Sequence, residues 1–492
     1  MKILLELRPA LDGHAGIPQE TRLLFRGLAE LAGTQVDGLI QSSNRLLAKG
    51  LPATGASARW LADHRVNRMS RVVVSVQGGG VQGRLVRAST LLRLGAATGA
   101  AVIGAALGRA QSLTRFEGAR FEDFVWRSMF AKTLPADDFE VITHAHFRIA
   151  RIPWSAAHAA ALLTRRLGAA IYPRLDTAGY DLMIAETPYP GRVSGKTRLV
   201  VRYHDAIPLL MPHTISERVR HQANHYESLR RNVHDGAWFA CVSEASRQDL
   251  ISVFPDVADR AVTIPNMVSH HYFEERSTPE RIPDILRTFH HATLGAGTGA
   301  SARPEAPSSL EYLLMVSTLE PRKNHLGLLA AWEKLRATTH PNLQLVLVGV
   351  LGWEHEAIVQ KLKAWVNRGL VHVLDDVRAS DLRLMYKHAR ATVCPSFGEG
   401  FGFSGVESMR CGGVVVASDL AVHREIYGEA AEYFNPYSVD DMAAALVRIL
   451  DDRTGDRRRE LEDRGRQVSS RYLQANVLPQ WQSFFDMLPR DA

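Results

Sequence analysis

TVCPSFGEGFGFSGVE, residues 392–407, reads as a short apolar strand, a glycine-rich turn and the opening of a helix. Thr392–Cys394 is apolar enough for a buried strand, and a helix is expected around Glu407. The glycines between them let backbone amides come close to a ligand. Amides at a helix N-terminus favour an anion or a hydroxyl-rich group. Such a turn belongs to a parallel α/β sheet, where ligands bind at the carboxyl ends of the strands.

The same alternation extends outward. Tyr312–Val316, Leu345–Val348, Val371–Leu374 and Val414–Ala417 read as strands. Asn324 is placed to cap a helix carrying Leu328, Trp332 and Leu335, and Ser380 and Ser438 to cap two more. The N-terminal half repeats the rhythm. Lys2–Leu7 and Val36–Ile40 flank a turn at Gly13–Gly16 and a helix with Pro18 near its start. Leu182–Ala185, Leu199–Tyr203, Trp238–Val242 and Val262–Ile264 follow as strands. Two such halves predict an α/β protein with two doubly wound Rossmann-like domains facing across a cleft. The first is expected over residues 1–294, interrupted by a mostly helical insertion at about 59–174. Residues 295–309, GAGTGASARPEAPSS, have a linker's composition. The second domain is expected over 310–475, and 476–492 as a helix returning to the first.

The chain has 492 residues, of which 46% are hydrophobic and 23% charged, enough for large cores without staples. Cys241, Cys394 and Cys411 are too few for a disulfide framework and suit a reducing, cytoplasmic setting. No Cys/His spacing suggests zinc. The N-terminal apolar run is broken by Glu6, unlike a secretory signal. The closest approach to a membrane-spanning stretch is Leu94–Leu107, 14 uncharged residues between Arg93 and Arg109. It falls short of the ~20 that span a bilayer and predicts a buried helix, with an interfacial membrane segment as the alternative. The net charge is +7, but residues 59–174 alone hold 17 Lys and Arg against 7 Asp and Glu. A solvated arginine-rich surface and adhesion to the inner face of an anionic membrane both fit that excess. Sparse aromatic residues argue against nucleic acid as a partner.

Three further features sit at strand ends. Glu320-Pro-Arg322-Lys323-Asn324 places two adjacent cations at a helix N-terminus, which costs energy unless an anion is present. A diphosphate would satisfy both. His204 ends a strand and faces the crevice. The glycine turn ending at Gly16 lacks the full dinucleotide fingerprint, as does the second half, and this disfavours a hydride-transferring enzyme.

The runs EPRKN, SFGEGFGFSGVE and VVASDLAVHREIYGEAAEYFNP resemble the retaining family-4 glycosyltransferases of the GT-B fold, with EGFG…E as their E-x7-E motif. The resemblance covers about residues 1–45, 180–275 and 310–450. It implies that Arg322 and Lys323 bind the donor diphosphate and Glu407 the ribose. Glu399 would contact the donor hexose, with the amides of Gly400, Phe401, Gly402 and Phe403 on its hydroxyls. His204 would stand beside the anomeric centre, and Gly16 would let the first-domain loop approach. Many relatives have Leu-Pro where this chain has Phe403-Ser404, which leaves the donor hexose open. The resemblance further implies transfer of a mannose- or glucose-type hexose from a GDP- or UDP-linked donor, with retention and without a metal or other cofactor. The acceptor would be a glycan, lipid-linked, in lipopolysaccharide or exopolysaccharide assembly. A phosphorylase of the same fold and a non-catalytic sugar-nucleotide-binding subunit remain alternatives.

Overall fold

The structure is a computed structural model describing residues 1–13, 16–52, 61–78, 84–166, 168–215, 218–289 and 310–489. The expected linker at 295–309 lies outside the described residues.

Strands of the first domain are β1 (Lys2–Glu6), β2 (Gln35–Ile40), β3 (Gln111–Ser112), β4 (Thr114–Glu117), β5 (His146–Ile149), β6 (Leu175–Asp176), β7 (Leu182–Ala185), β8 (Arg198–Tyr203), β9 (Trp238–Cys241) and β10 (Ala261–Thr263). Eight of them form one sheet in the order β10-β9-β8-β7-β1-β2-β5-β4, while β3 and β6 pair separately. All neighbours in the large sheet are parallel except the β4–β5 edge pair. Strands of the second domain are β11 (Tyr312–Val316), β12 (Gln344–Val348), β13 (Val371–Leu374), β14 (Ala391–Cys394), β15 (Val415–Ser418) and β16 (Ala431–Phe434). They form an all-parallel sheet in the order β13-β12-β11-β14-β15-β16. Its strand order reverses between β11 and β14, where a ligand crevice is expected.

Strand periodicity explains why the runs are continuously apolar. Leu314, Val346 and Val348 pack on one face of the second sheet, and Leu313, Met315, Leu345 and Leu347 on the other. Helices cover both faces, so neither parity meets water. Ile3, Leu5 and Val200 split in the same way from Leu4, Leu199 and Val201 in the first sheet. The last helix, Gln474–Met487, buries Val477, Trp481, Phe484 and Phe485 against the first domain's core.

Three readings change. Segment 59–174 is mostly helical, but it also supplies β4 and β5 to the large sheet. The half-buried alternation of His146-Phe-Arg-Ile149 hid that strand among helical neighbours. The chain also crosses to the second domain well before residue 294. Val268, Tyr272, Ile282, Ile285 and Leu286 pack with Tyr312, Leu382 and Met385, so apolar contact sets the boundary where composition did not. The third change concerns the apolar run. It belongs to a longer helix, Arg84–Ala106, whose stretch Ala88–Ala106 is long and apolar enough to cross a membrane, and only 6% of it is buried. Reading Arg93 as a boundary made the run look short, and its glycines and alanines made it look like core. Of the expected caps, Asn324 accepts from the Gly327 amide and Ser438 from the Asp441 amide, whereas Ser380 lies inside the helix Ala379–His388.

Candidate functional site

The two loops at the reversal point of the second sheet bring the expected charges together. Pro321–Lys323 forms one tight turn after β11, and Asn324 follows in the left-handed region to cap the next helix. Arg322 donates to the Gly398 carbonyl at 2.6 Å, to Glu399 Oε2 at 3.1 Å and to Glu320 Oε1 at 2.8 Å. Lys323 Nζ donates to Glu399 Oε1 at 2.6 Å, and Ser396 Oγ donates to the same oxygen at 2.6 Å. Burial pushes the Glu399 carboxyl up, but Lys323 and Arg322 outweigh it and hold the group well below the usual carboxylate range. Burial likewise opposes the Arg322 charge, and Glu399 and Glu320 more than restore it. The anion that these cations call for is therefore supplied by the protein itself, through Glu399. A diphosphate would add to that network or exchange with it.

Glu399 lies on the loop and Glu407 on the second turn of the helix Phe403–Arg410, so the pair is not on one helical face. Glu407 is buried and accepts from the Tyr386 hydroxyl at 2.9 Å and from Gln19 Nε2 at 2.8 Å. Burial raises its carboxyl, partly offset by those two hydrogen bonds. Gln19 comes from the first domain, so this bond crosses the cleft. Gly402 has φ 88° and ends the turn, as only glycine does without strain. The Phe401 ring does not face the cleft: it is buried against Phe403 and Tyr472. Its side chain anchors the loop, which leaves only its backbone available to a ligand.

The opposite wall is the end of β8. A Cβ on Gly400 would stand 1.9 Å from the His204 carbonyl oxygen, so the two domains touch here and the position admits only glycine. Ser243 Oγ donates to the Gly400 carbonyl at 2.7 Å and reinforces the contact. Gly16, with φ 72° and ψ −129°, precedes the helix Ile17–Glu30. His14 and Ala15 of its turn lie outside the described residues.

His204 is not alone. Its Nε2 lies 3.6 Å from Glu186 Oε2, just past the end of β7; Glu186 is fully buried and His204 is 11% exposed. Neither Glu186 oxygen has a hydrogen-bond partner. Burial pushes the Glu186 carboxyl up to about 8, with Glu6 adding and Arg202 opposing. Burial, then Arg202, pushes His204 down to about 4. At neutral pH the wall is an uncharged acid beside an uncharged imidazole. The stability consequence has a definite sign. Between pH 4.5 and 8 the folded chain holds a proton on Glu186 that the unfolded chain has released. Stability therefore falls as pH rises through that window. The opposing contribution of His204 is complete above pH 6.5, its ordinary value. From pH 6.5 to 8 wild type should lose ~1.5 kcal/mol relative to Glu186→Gln. Urea unfolding at the two pH values checks this, and parallel losses in both proteins would contradict it.

Sequence reading missed Gln19, Glu20, Glu186, Arg202 and Tyr386, and it gave Glu320 no role. Glu186 and Arg202 carried a signal, because each is a charged residue within or directly after a buried strand. Gln19 and Tyr386 carried none: both sit on amphipathic helices where polar residues are ordinary.

Residues 300–468 match the family described as Glycosyl transferases group 1. The O-antigen chain mannosyltransferase B of Escherichia coli is 32% identical over 256 residues, covering 52% of this chain and 62% of that protein. The serotype-specific mannosyltransferase WbdA of Escherichia coli is 25% identical over 276 residues, covering 56% of this chain and 31% of that protein. The matches thus span less than two thirds of these relatives' own lengths. Among solved structures, the sucrose-phosphate synthase of Thermosynechococcus elongatus superposes over 99% of both chains, with TM-score 0.56 and 16% identity. The second half of the chain is therefore similar to a glycosyl transferases group 1 domain, and it is set within a two-domain GT-B fold.

Proposed function

We propose that this protein transfers a mannose-type hexose, with retention and without a metal, from a GDP- or UDP-linked donor to a lipid-linked glycan acceptor in cell-surface polysaccharide synthesis. The reading rests above all on the Arg322–Lys323–Glu399 cluster at the strand-order reversal, pressed against the His204 wall. The mannosyltransferase relatives favour the hexose and the O-antigen setting.

The donor diphosphate would meet Arg322 and Lys323, which stabilise the charge that develops as it leaves. Glu407 would take the ribose hydroxyls, and the ribose would replace Gln19 there. Glu399 and the loop amides from Gly400 to Phe403 would hold the hexose, with the anomeric carbon toward His204. The bond from that carbon to the phosphate oxygen breaks, and the bond to the acceptor oxygen forms on the same face. The acceptor's proton passes to the departing phosphate. The Glu186–His204 wall, uncharged at neutral pH, would leave the diphosphate's charge to the two cations.

Incubation with a panel of nucleotide-sugars and mannose-terminated acceptors, with the product anomer read by NMR, tests the reading. An inverted product removes retention. Product formation that requires inorganic phosphate instead would favour the phosphorylase reading. The carboxylates should separate kinetically. Glu407→Gln is expected to raise the donor KM about tenfold with kcat little changed, because the ribose does not react. Glu399→Gln is expected to lower kcat about tenfold, because the hexose changes in the transition state. Equal effects on both parameters in both variants would erase the distinction.

A further inference from the structure

The helix Arg84–Ala106 is hard to reconcile with water. From Ala88 to Ala106 its one charged residue is Arg93, and only 6% of the stretch is buried. Leu92 is 75% exposed, and Leu91, Ile103 and Leu107, just past its end, are each more than 60% exposed. At 100° per residue, Leu91, Leu92, Gly95, Ala96, Gly99 and Ile103 fall within one half of the helix surface. The helix touches the first domain along Trp154–Arg165, where Leu163 is exposed too. The Thr98 hydroxyl donates to the Leu94 carbonyl at 2.8 Å, so it presents no bare donor. An uncovered apolar face of this size marks a surface that something else covers.

Charge and chain length identify what covers it. Residues 59–120 carry ten arginines against Asp63 and Glu117. Arg93 on the helix and Arg109 just past its end are exposed, as is Arg71 on the preceding helix. That combination complements a surface with an anionic rim over an apolar interior, which is an anionic lipid monolayer. The helix cannot cross it. Gly78, ending the helix Ala62–Gln77, and Gln111, starting β3, both belong to the first domain. The six residue steps from Gly78 to Arg84 reach at most about 21 Å, short of a ~30 Å hydrocarbon core. Both ends must stay on one side, and the helix must lie in the plane of the membrane.

We infer that the helix Arg84–Ala106 beds its Leu91–Ile103 face into the head-group boundary of an anionic bilayer, fixing the first domain to that surface. This goes beyond the glycosyl-transfer reading and does not rest on it. Because the first domain carries the His204 wall, the wall would be held beside a lipid-borne ligand.

Flotation of the full chain tests it, with vesicles of phosphatidylethanolamine and phosphatidylglycerol against phosphatidylcholine alone. Wild type should float with the anionic vesicles and resist release by 0.5 M salt in part, because burial as well as charge holds it. It should float weakly or not at all with the neutral ones. Leu91→Asp, Leu92→Asp and Ile103→Asp together should abolish flotation while circular dichroism and nucleotide binding stay unchanged, since these side chains support no packing. Arg93→Gln with Arg109→Gln should weaken binding about tenfold to thirtyfold at low salt. If wild type stays in the soluble fraction at low salt, or the Asp variant floats like wild type, the inference is overturned. A dimer in sedimentation that the Asp variant loses, with no flotation of wild type, would assign the face to a second copy and overturn it equally.

Discussion

Arg322→Ala is expected to weaken binding of a nucleoside diphosphate about 10- to 150-fold, equivalent to the ~1.5–3 kcal/mol of a hydrogen bond to a charged group. Lys323→Ala should fall in the same range and is the cleaner variant. Arg322 also holds the Gly398 carbonyl and the buried Glu320, so its loss loosens the loop, whereas the hydrogen bond seen for Lys323 goes to Glu399 alone. Both cations already have a protein anion. If their work were finished in balancing Glu399, removing one would disturb the loop and leave the affinity for diphosphate unchanged. If they serve the donor, the loss appears in calorimetric titration with UDP or GDP and is absent for the free sugar. Titration of GDP and UDP into both variants with wild-type affinity would reduce the cluster to a structural ion network.

That ambiguity shows where sequence reading stops. The strands were legible because parallel strands covered on both faces are apolar at every position, as in LVLV at Leu345–Val348. The order of strands, and so the reversal point, was not legible, because βα alternation implies parallel strands and leaves their order in the sheet open. The residues on the turns were legible too, because glycines and paired cations have little reason to gather at strand ends except for a ligand. Their partners were not. Two cations at a helix start imply an anion, but only the fold shows that Glu399, 76 residues from Lys323, fills the role. The Gln19–Glu407 bond spans 388 residues and crosses domains. No local pattern encodes such a contact. The helix Arg84–Ala106 misled for a different reason. Apolar composition says that a surface will be covered, and does not say whether by protein or by lipid.

The second large effect lies beneath the site. Arg202 is fully buried in β8, where an arginine has no place unless every hydrogen-bonding arm is used. Its Nε donates to Glu20 Oε1 at 2.9 Å, and its two terminal nitrogens reach the Ile264 carbonyl at 2.6 Å and Asn266 Oδ1 at 2.8 Å. Its guanidinium stands 5.3 Å from the Trp481 ring. One side chain thus ties the helix Ile17–Glu30, the loop after β10 and the C-terminal helix to the central sheet. Arg202→Met fills much of the volume but strands Glu20, whose carboxyl burial already pushes up against the opposing pull of Arg202. The expected loss is ~3–5 kcal/mol, read as a fall in the urea midpoint. Adding Glu20→Gln removes the stranded charge and should recover a substantial part, because the cost lies in the uncompensated carboxylate more than in the lost contact. An unchanged midpoint in Arg202→Met, or a double variant no more stable than the single, would show that the ion pair does not organise this domain. The loss should reach function as well. Glu20 is the chain neighbour of Gln19, which bonds Glu407 across the cleft, so a shifted helix would misplace the first domain's contact with the proposed ribose carboxylate. In the double variant, donor binding should therefore recover together with the midpoint.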